Sequence, residues 1–272
     1  MSRSALWITA LAATLAAAVW QRVSGPSFPW RGTVALGGAE VAVVLPRSHL
    51  STGPARVAVP AAGRGELFWR RAPTADPFAV VPMRSESGSL VAELPAQPPA
   101  GTVEYFVVAS AGGTRIRLPA RPGETVVLRF RGPIPAAVLL THIVVMFAAM
   151  LLGVRAGLGA ALGGTADRRL TALALLALTV GGLVLGPLTE RYAFGEWWAG
   201  VPFGWDLTDN KTLVAWLGWA AAAAAIRWRP ARARWLVVLA TLLMLAAFCV
   251  PHSVLGSRLT WNAAPPAAGG RP

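Results

Sequence analysis

The sequence predicts an α-helical membrane bundle of four or five transmembrane helices that carries an N-terminal, extracytoplasmic all-β domain. Of the 272 residues, 55% are hydrophobic and only 14% are charged, a balance too apolar for an ordinary water-soluble domain. Long apolar segments fill the second half of the chain, whereas residues 24–132 contain short alternating runs separated by glycine and proline. Arginines cluster in alternate linkers between the apolar segments, as they do in multi-pass membrane proteins.

Residues 1–23 form a basic start at Arg3 followed by an apolar run from Ala5 to Trp20. That run is short for a membrane span, and Ala16-Ala17-Ala18 offers a small-residue cleavage pattern. A signal peptide that is cleaved and a transmembrane anchor that is retained both explain this segment. Either one places the following residues outside the cytoplasm.

Residues 24–132 predict an extracytoplasmic β-sandwich. Short runs of strand-forming residues recur about every ten residues. They are Val41–Leu45, Glu66–Trp69, Leu90–Leu94, Val103–Ala109 and Val126–Phe130. The segment ELPAQPPAGTVEYFVVASAGGTRIRLP resembles the later strands of an immunoglobulin-like or fibronectin type III-like domain.

Residues 133–262 predict a four-helix transmembrane domain. Its predicted spans are Ile134–Val154, Leu170–Pro187, Thr212–Ile226 and Trp235–Leu255. The first is roughly 31 Å long as a helix, which is enough to cross a bilayer. The linkers 155–169 and 227–234 carry three and four arginines, which predicts that both are cytoplasmic. The tryptophan-rich loop 188–211 is then extracytoplasmic, and residues 263–272 are predicted to form a disordered tail.

The charge and cysteine content exclude several classes of function. The formal net charge of +13 comes almost wholly from arginine, because Lys211 is the only lysine. These arginines lie at the ends of apolar segments, which favours orientation in a lipid bilayer over binding of nucleic acid. Cys249 is the only cysteine, so an intrachain disulfide, a cysteine-based metal site and covalent c-type haem attachment are all excluded.

The loop between the second and third of these predicted spans contains an unusual combination of aromatic residues and glycine. Trp197, Trp198 and Trp205 are interleaved with glycines and Pro202. Glycine lets a backbone approach a planar ligand and indoles stack on it, so this loop is a candidate platform for a flat cofactor. The alternative is an interfacial belt, the role predicted for Trp216, Trp219, Trp228 and Trp235.

Carboxylates at the end of the loop have simpler explanations. Asp209 stands before an apolar helix and is predicted to cap it. Asp206 is predicted to anchor the loop against Arg191 or Lys211, and Glu190 and Glu196 to pair with the same cations. Their spacing does not indicate a metal site.

Two histidines fall on the apolar segments. His142 lies about eight residues into a helix that starts outside, and His252 lies near the end of a helix that finishes outside. Each alone could serve as a hydrogen-bonding residue between helices. Two imidazoles at matching depth beside an aromatic loop are candidate axial ligands of a haem iron. His49 in the β domain is interpreted as a loop or surface residue.

The order His142, Trp197-Trp198, Trp205-Asp206 and His252 resembles the haem-handling membrane proteins of cytochrome c maturation, which carry a tryptophan-rich WWD motif between two histidines. THIVVMFAAMLLG is similar to the family helix in which a histidine precedes an apolar run. FGEWWAGVPFGWDLTDNKTLVAWLGW is similar to the family pattern WGxxWxWDPKExxxLxxWLxY, and VPHSVLGS to its LHSYG end. The resemblance covers about residues 135–257.

The resemblance implies a bacterial inner-membrane protein that binds haem b non-covalently. It implies His142 and His252 as the axial iron ligands, with Trp197, Trp198, Trp205 and Asp206 as the platform. The implied partners are other cytochrome c assembly proteins or membrane cytochromes. Such a protein is a haem chaperone or carrier rather than an enzyme, since lyase chemistry would need a partner.

The chain also departs from the family pattern. About four extra residues separate Trp198 from Trp205, LTDNK replaces PKE, and the helix after the motif has no histidine. These departures argue against transport of haem across the membrane. Two alternatives stay open: a haem- or quinone-binding redox subunit, and a non-catalytic anchor whose β domain recruits a partner.

Overall fold

A computed structural model describes residues 1–251 and Leu259. The predicted ligand His252 and the predicted tail 263–272 therefore lie outside the described residues. The chain forms two compact units. One contains residues 27–133, and the other contains residues 1–26 together with the helices that follow residue 134.

The first unit is built of ten strands. They are β1 (Trp30–Leu36), β2 (Ala39–Leu45), β3 (Ser48–Leu50), β4 (Ala55–Val59), β5 (Arg64–Arg71), β6 (Ala79–Glu86), β7 (Ser89–Leu94), β8 (Thr102–Ala111), β9 (Thr114–Leu118) and β10 (Val126–Arg131). Every run predicted from the sequence lies within one of these strands. The prediction of an all-β domain is confirmed.

Strands β3 to β10 form one continuous sheet, and β1 and β2 form a separate hairpin. The order along the sheet is β3-β10-β8-β5-β6-β7-β4, with β9 also paired to β8. Strand β6 joins the two halves of the sheet, because its first part pairs with β5 and its last part, from Arg84, pairs with β7. Buried residues of the sheet and of the hairpin form a single core. Burial alternates along β8 because successive side chains of a strand face opposite sides.

Tyr105 shows how this core accommodates a polar group. The ring is fully buried, and its hydroxyl donates to the carbonyl oxygen of Pro46 at 2.8 Å. Burial raises the pKa of Tyr105 well above its usual range, against the opposing effect of Arg47. The phenol therefore stays neutral and keeps its hydrogen bond.

The second unit is helical. It contains α1 (Arg3–Ser24), α2 (Ala136–Ala161), α3 (Arg168–Leu178), α4 (Gly186–Phe194), α5 (Leu207–Trp228) and α6 (Pro230–Cys249). A π-helical turn, Thr179–Leu185, joins α3 to α4 without a break. Such turns insert a residue into the helical ladder and are often found at functional sites.

Four helices in the described part of the chain are long and apolar enough to cross a membrane. They are Arg3–Ser24, Ala136–Ala161, Arg168–Phe194 and Pro230–Cys249. Helix α5, which contains the predicted span Thr212–Ile226, is less apolar but packs against α3 and α6 in the same unit. A multi-pass membrane bundle is therefore supported.

Helix α1 is an integral part of the bundle. Its buried face contains Ala10, Thr14 and Ala17. At its end, the Trp20 indole N–H donates to the carbonyl of Cys249 at 2.7 Å, and the Gln21 amide donates to the carbonyl of Phe248 at 2.6 Å. These bonds use two of the carbonyls that the end of α6 leaves without helical partners.

Tryptophans of α5 correct one expectation from the sequence. Trp219 is fully buried in the helical core, and the Trp216 indole N–H donates to the Thr179 hydroxyl at 2.8 Å. Both were expected in an interfacial belt. They lie inside because α5 is surrounded by neighbouring helices, whereas Trp228 and Trp235 are exposed as predicted.

Candidate functional site

The loop between α4 and α5 is a compact, hydrogen-bonded structure. Helix α4 ends at Phe194, and the next residue, Gly195, has a φ of +87°, the left-handed conformation that favours glycine at this position. Further along, the N–H groups of Phe203 and Gly204 both donate to the Gly200 carbonyl at 2.9 Å. A Cβ on Gly204 would lie 2.3 Å from the carbonyl oxygen of Ala199, so only glycine fits there.

Carboxylate and amide groups from the first turns of α5 hold this loop in place. Asp209 Oδ2 accepts the N–H groups of Ala199 at 2.7 Å and Gly200 at 3.1 Å. Asn210 Oδ1 accepts the N–H of Val201 at 2.8 Å. Asp209 and Asn210 therefore fold the loop back onto the start of the helix.

The cap of α5 is Asp206, and the prediction that Asp209 fills this role is wrong. Asp206 Oδ1 accepts the N–H of Thr208 at 2.7 Å and that of Asp209 at 3.4 Å. The helix begins earlier than the apolar run indicated, at Leu207, so Asp209 already lies within its first turn. Its carboxylate is then free to serve the loop instead.

The aromatic side chains of the loop point mainly outward. Trp197 is 58% exposed, Phe203 82% and Trp205 86%. Trp198 is half-buried, and its indole N–H donates to the Val201 carbonyl at 3.1 Å. A rigid loop that presents two indoles and a phenyl ring offers a surface on which a planar molecule can stack.

His142 is held in one orientation by the π-helical turn. Its Nδ1 lies 3.0 Å from the carbonyl oxygen of Gly181, which also accepts the N–H of Gly186. Because a carbonyl can only accept, Nδ1 carries a proton, and in the neutral imidazole Nε2 then keeps its lone pair. This is the arrangement found for most histidines that bind a metal through one nitrogen and a backbone carbonyl through the other.

Glycines let the helices around His142 approach one another closely. A Cβ on Gly181 would lie 2.8 Å from Met146 Sδ of α2, and one on Gly182 would lie 2.7 Å from Thr212 Cγ2 of α5. Side chains at these positions would push the π-helical turn away from both neighbours. The two glycines therefore position the carbonyl that orients the imidazole.

A cavity of about 120 Å³ lies beside His142, between α2, α4 and the start of α5. Polar side chains contribute much of its wall. They are His142, Thr189, Glu190, Asp206, Thr208, Asp209 and Thr212. The carboxyl groups of Glu190 and Asp209 are neighbours in this wall.

Burial shifts the protonation of the groups where the loop meets α5. It raises the pKa of Asp209, although the N–H groups of Ala199 and Gly200 favour the charged form. It lowers the pKa of Lys211 to about 8, against the opposing effect of Asp206. The Lys211 ammonium donates to the carbonyl of Val250 at the end of α6.

The structure brings together some of the predicted site residues. His142 and Asp206 line the same cavity. Among the residues that the structure describes, Trp197, Trp198 and Trp205 do not line it. The sequence predicts other roles for Glu190 and Asp209. Their spacing in the chain carried no signal for the cavity, because they meet only once the loop has folded.

Within the described residues, no cluster of three or more histidine, cysteine or acidic side chains could hold a bare metal ion. A haem makes a different demand, because its iron needs only axial ligands from the protein. His142 places one imidazole beside the cavity. No family model matches the chain, and a search of curated proteins found no match, so its function is inferred from this geometry.

Proposed function

We propose that the protein is an integral membrane protein that binds one b-type haem at its extracytoplasmic face and presents it for cytochrome c assembly. The observation that carries this proposal is His142. Its Nδ1 is committed to the Gly181 carbonyl, which leaves Nε2 as an oriented, neutral ligand beside a cavity. His252 is the proposed ligand on the other side of the iron.

The size of the cavity supports binding at the surface rather than in the interior. Pockets that enclose drug-sized molecules measure roughly 300–1,000 Å³, whereas this cavity measures about 120 Å³. A ligand as large as haem would leave most of its ring outside. The exposed indoles of Trp197 and Trp205 are then available to stack on it.

The residues of the chain would bind and orient the cofactor. His142 sets the axial position, Asp209 and Asn210 keep the aromatic loop rigid, and Asp206 fixes the start of α5. Bound haem would supply an iron centre whose reactivity depends on its axial ligands and burial. Covalent attachment to an apocytochrome would be carried out by a partner. Because α5 has no histidine, transport of haem through the bundle is not part of the proposal.

The proposed topology follows the arginines. Linkers 155–169 and 227–234 would be cytoplasmic, and the aromatic loop and the β domain would face outward from a bacterial inner membrane. In this arrangement His142 lies in the outer half of the bilayer, near the site of cytochrome c assembly. Lipid contact is supported by the four apolar helices.

An immunoglobulin-like or fibronectin type III-like sandwich is the proposed finer description of the β domain. Three features support it: the antiparallel pair of β4 and β7, the run β6-β5-β8-β10, and the parallel pairing of β3 with β10. Such sandwiches often mediate protein recognition on cell surfaces. This domain is therefore the proposed surface for an assembly partner.

A redox subunit that binds a quinone is the second candidate, and the carboxyl pair favours it. Glu190, Asp209 and His142 line one small cavity, and groups of this kind can donate hydrogen bonds to the two carbonyls of a quinone head group. Binding of a quinone analogue that competes with haemin would favour this candidate. Absence of quinone binding, with haem binding intact, would exclude it.

The proposal is tested by the visible spectrum of the detergent-purified protein, with and without added haemin and dithionite. A Soret band is expected, and His142→Ala should abolish or strongly weaken it. His49→Ala is the matched control, because His49 packs edge-to-face on Phe130 in the β domain. Absence of a Soret band from the wild-type protein under all these conditions would contradict the proposal.

A further inference from the structure

A second cavity, of about 310 Å³, lies between the first turn of α3 and the last turn of α5. It is lined by Arg168, Thr171, Ala172, Ala223, Ile226 and Arg227. This is the end of the bundle that the arginine distribution predicts to be cytoplasmic. It is therefore separate from the haem site proposed above.

The two arginines of this cavity are available to bind an anion. Neither guanidinium forms an ion pair with a residue that the structure describes. Asp167, the acidic residue next to Arg168, uses its carboxylate to cap α3 by accepting the N–H of Leu170 at 3.0 Å. Arginine side chains match the oxygens of a phosphate group through parallel hydrogen bonds.

Thr171 supplies an independent observation. The residue is only 1% exposed, and its hydroxyl has no hydrogen-bond partner among the described residues. A buried hydroxyl without a partner destabilises a protein unless a ligand satisfies it. Thr171 lines the cavity beside Arg168, so a bound anion is a suitable acceptor.

Apolar residues complete the cavity in a way that favours a lipid. Ala172, Ala223 and Ile226 form the rest of its wall, and Trp228, one residue beyond Arg227, is 76% exposed. Tryptophan collects at the level of lipid head groups, and basic pockets between transmembrane helices bind anionic head groups on the cytoplasmic side. A soluble anion would gain nothing from this apolar wall.

We propose that this cavity binds the phosphate head group of an anionic phospholipid, with Arg168 and Arg227 pairing with the phosphate and the Thr171 hydroxyl donating to it. The bound lipid bridges the start of α3 and the end of α5. It thereby stabilises the contact between these helices, and the site depends on the lipid composition of the membrane.

The test uses the full-length protein in detergent, titrated separately with phosphatidylglycerol, phosphatidylcholine and inorganic phosphate. Native mass spectrometry measures retained lipid, and thermal unfolding measures stabilisation. Arg168→Gln combined with Arg227→Gln should weaken phosphatidylglycerol binding by about tenfold or more, as loss of two charge-assisted contacts predicts. The matched control is Arg169→Gln combined with Arg229→Gln, which removes the same charge from the same end but from outside the cavity lining, and it should bind within about twofold of wild type.

Thr171→Val separates ligand binding from a structural role. It removes an unsatisfied hydroxyl at nearly constant shape, so the lipid-free protein should be at least as stable as wild type while phosphatidylglycerol binds more weakly. Equal loss of binding in both double variants would overturn the proposal, because it would indicate diffuse attraction. Stabilisation by inorganic phosphate equal to that by phosphatidylglycerol would also overturn it, since the site would then be one for a soluble anion.

Discussion

Replacement of Asp209 by alanine should release the aromatic loop while leaving the bundle folded. Asp209 Oδ2 is the acceptor for two consecutive N–H groups, those of Ala199 and Gly200, at 2.7 and 3.1 Å. In Asp209→Ala both donors lose their partner, and Gly200 is buried. The loop must then either open to water or keep two unsatisfied N–H groups.

The size of the effect follows from these two bonds. A hydrogen bond to a charged acceptor contributes about 1.5–3 kcal/mol, so the pair contributes roughly 3–6 kcal/mol. Burial of the carboxyl group, which raises the pKa of Asp209, offsets part of this. A net local cost of about 2–3 kcal/mol remains. Asn210→Ala removes one neutral bond, to Val201, and should cost about 1 kcal/mol.

Hydrogen exchange measured by mass spectrometry on the detergent-solubilised protein checks these values. Peptides covering residues 195–206 should exchange about 30- to 150-fold faster in Asp209→Ala and about fivefold faster in Asn210→Ala. Glu196→Gln is the matched control, because it neutralises an exposed carboxylate of the same loop. Wild-type exchange rates in Asp209→Ala, or equal acceleration in Glu196→Gln, would refute the role assigned to Asp209.

Three further predictions concern the bundle. Gly157→Ala should lower the unfolding free energy by about 1–3 kcal/mol in a denaturant titration, because its Cβ would lie 2.3 Å from Thr241 Oγ1. Gly159→Ala meets only the flexible end of an arginine and should be neutral, so equal destabilisation by both variants would contradict this packing. Residues 1–23 should remain in the mature protein because α1 packs within the bundle, and an intact mass lacking them would show otherwise. The folded pKa of Lys211, about 8, lies below its ordinary value of 10.5, so the unfolded chain binds more protons and stability should fall as the pH decreases from about 10.5 to about 8. Lys211→Met should reduce the change of unfolding free energy over this pH range by up to about 2 kcal/mol, after allowance for the partial exposure of the side chain. An unchanged pH profile in this variant would contradict the role given to Lys211.

Local patterns in the sequence were sufficient to predict most of the secondary structure. Alternation at a period of two placed strands such as β8, and long apolar runs placed the helices. Whether a tryptophan lies in the core or at the surface was harder to predict. Trp219 was expected at the membrane interface but is fully buried. A single helix does not reveal how many neighbours surround it, and the indole is suited equally to an interface and to a core.

The candidate site depends on contacts that are distant in the chain. His142 was predicted from its depth in an apolar helix, but its orientation depends on a carbonyl that a π-helical turn 39 residues away exposes. Glu190 and Asp209 line the same cavity only once the loop has folded. The hydrogen bonds that hold the loop come from Asp209, which the sequence predicts as a helix cap, and from Asn210, for which it predicts no role. The spacing of apolar residues along each helix carries no information on contacts between residues so distant in the chain.

Chemical rescue of His142→Gly tests the proposal of an axial haem ligand most directly. The variant leaves space where the imidazole stood, and added imidazole can fill it. We expect haemin titration of the variant to give a weakened or absent Soret band that millimolar imidazole restores toward the wild-type spectrum. A variant that binds haemin as wild type does without imidazole would contradict the account, because the iron would then take its ligands from elsewhere.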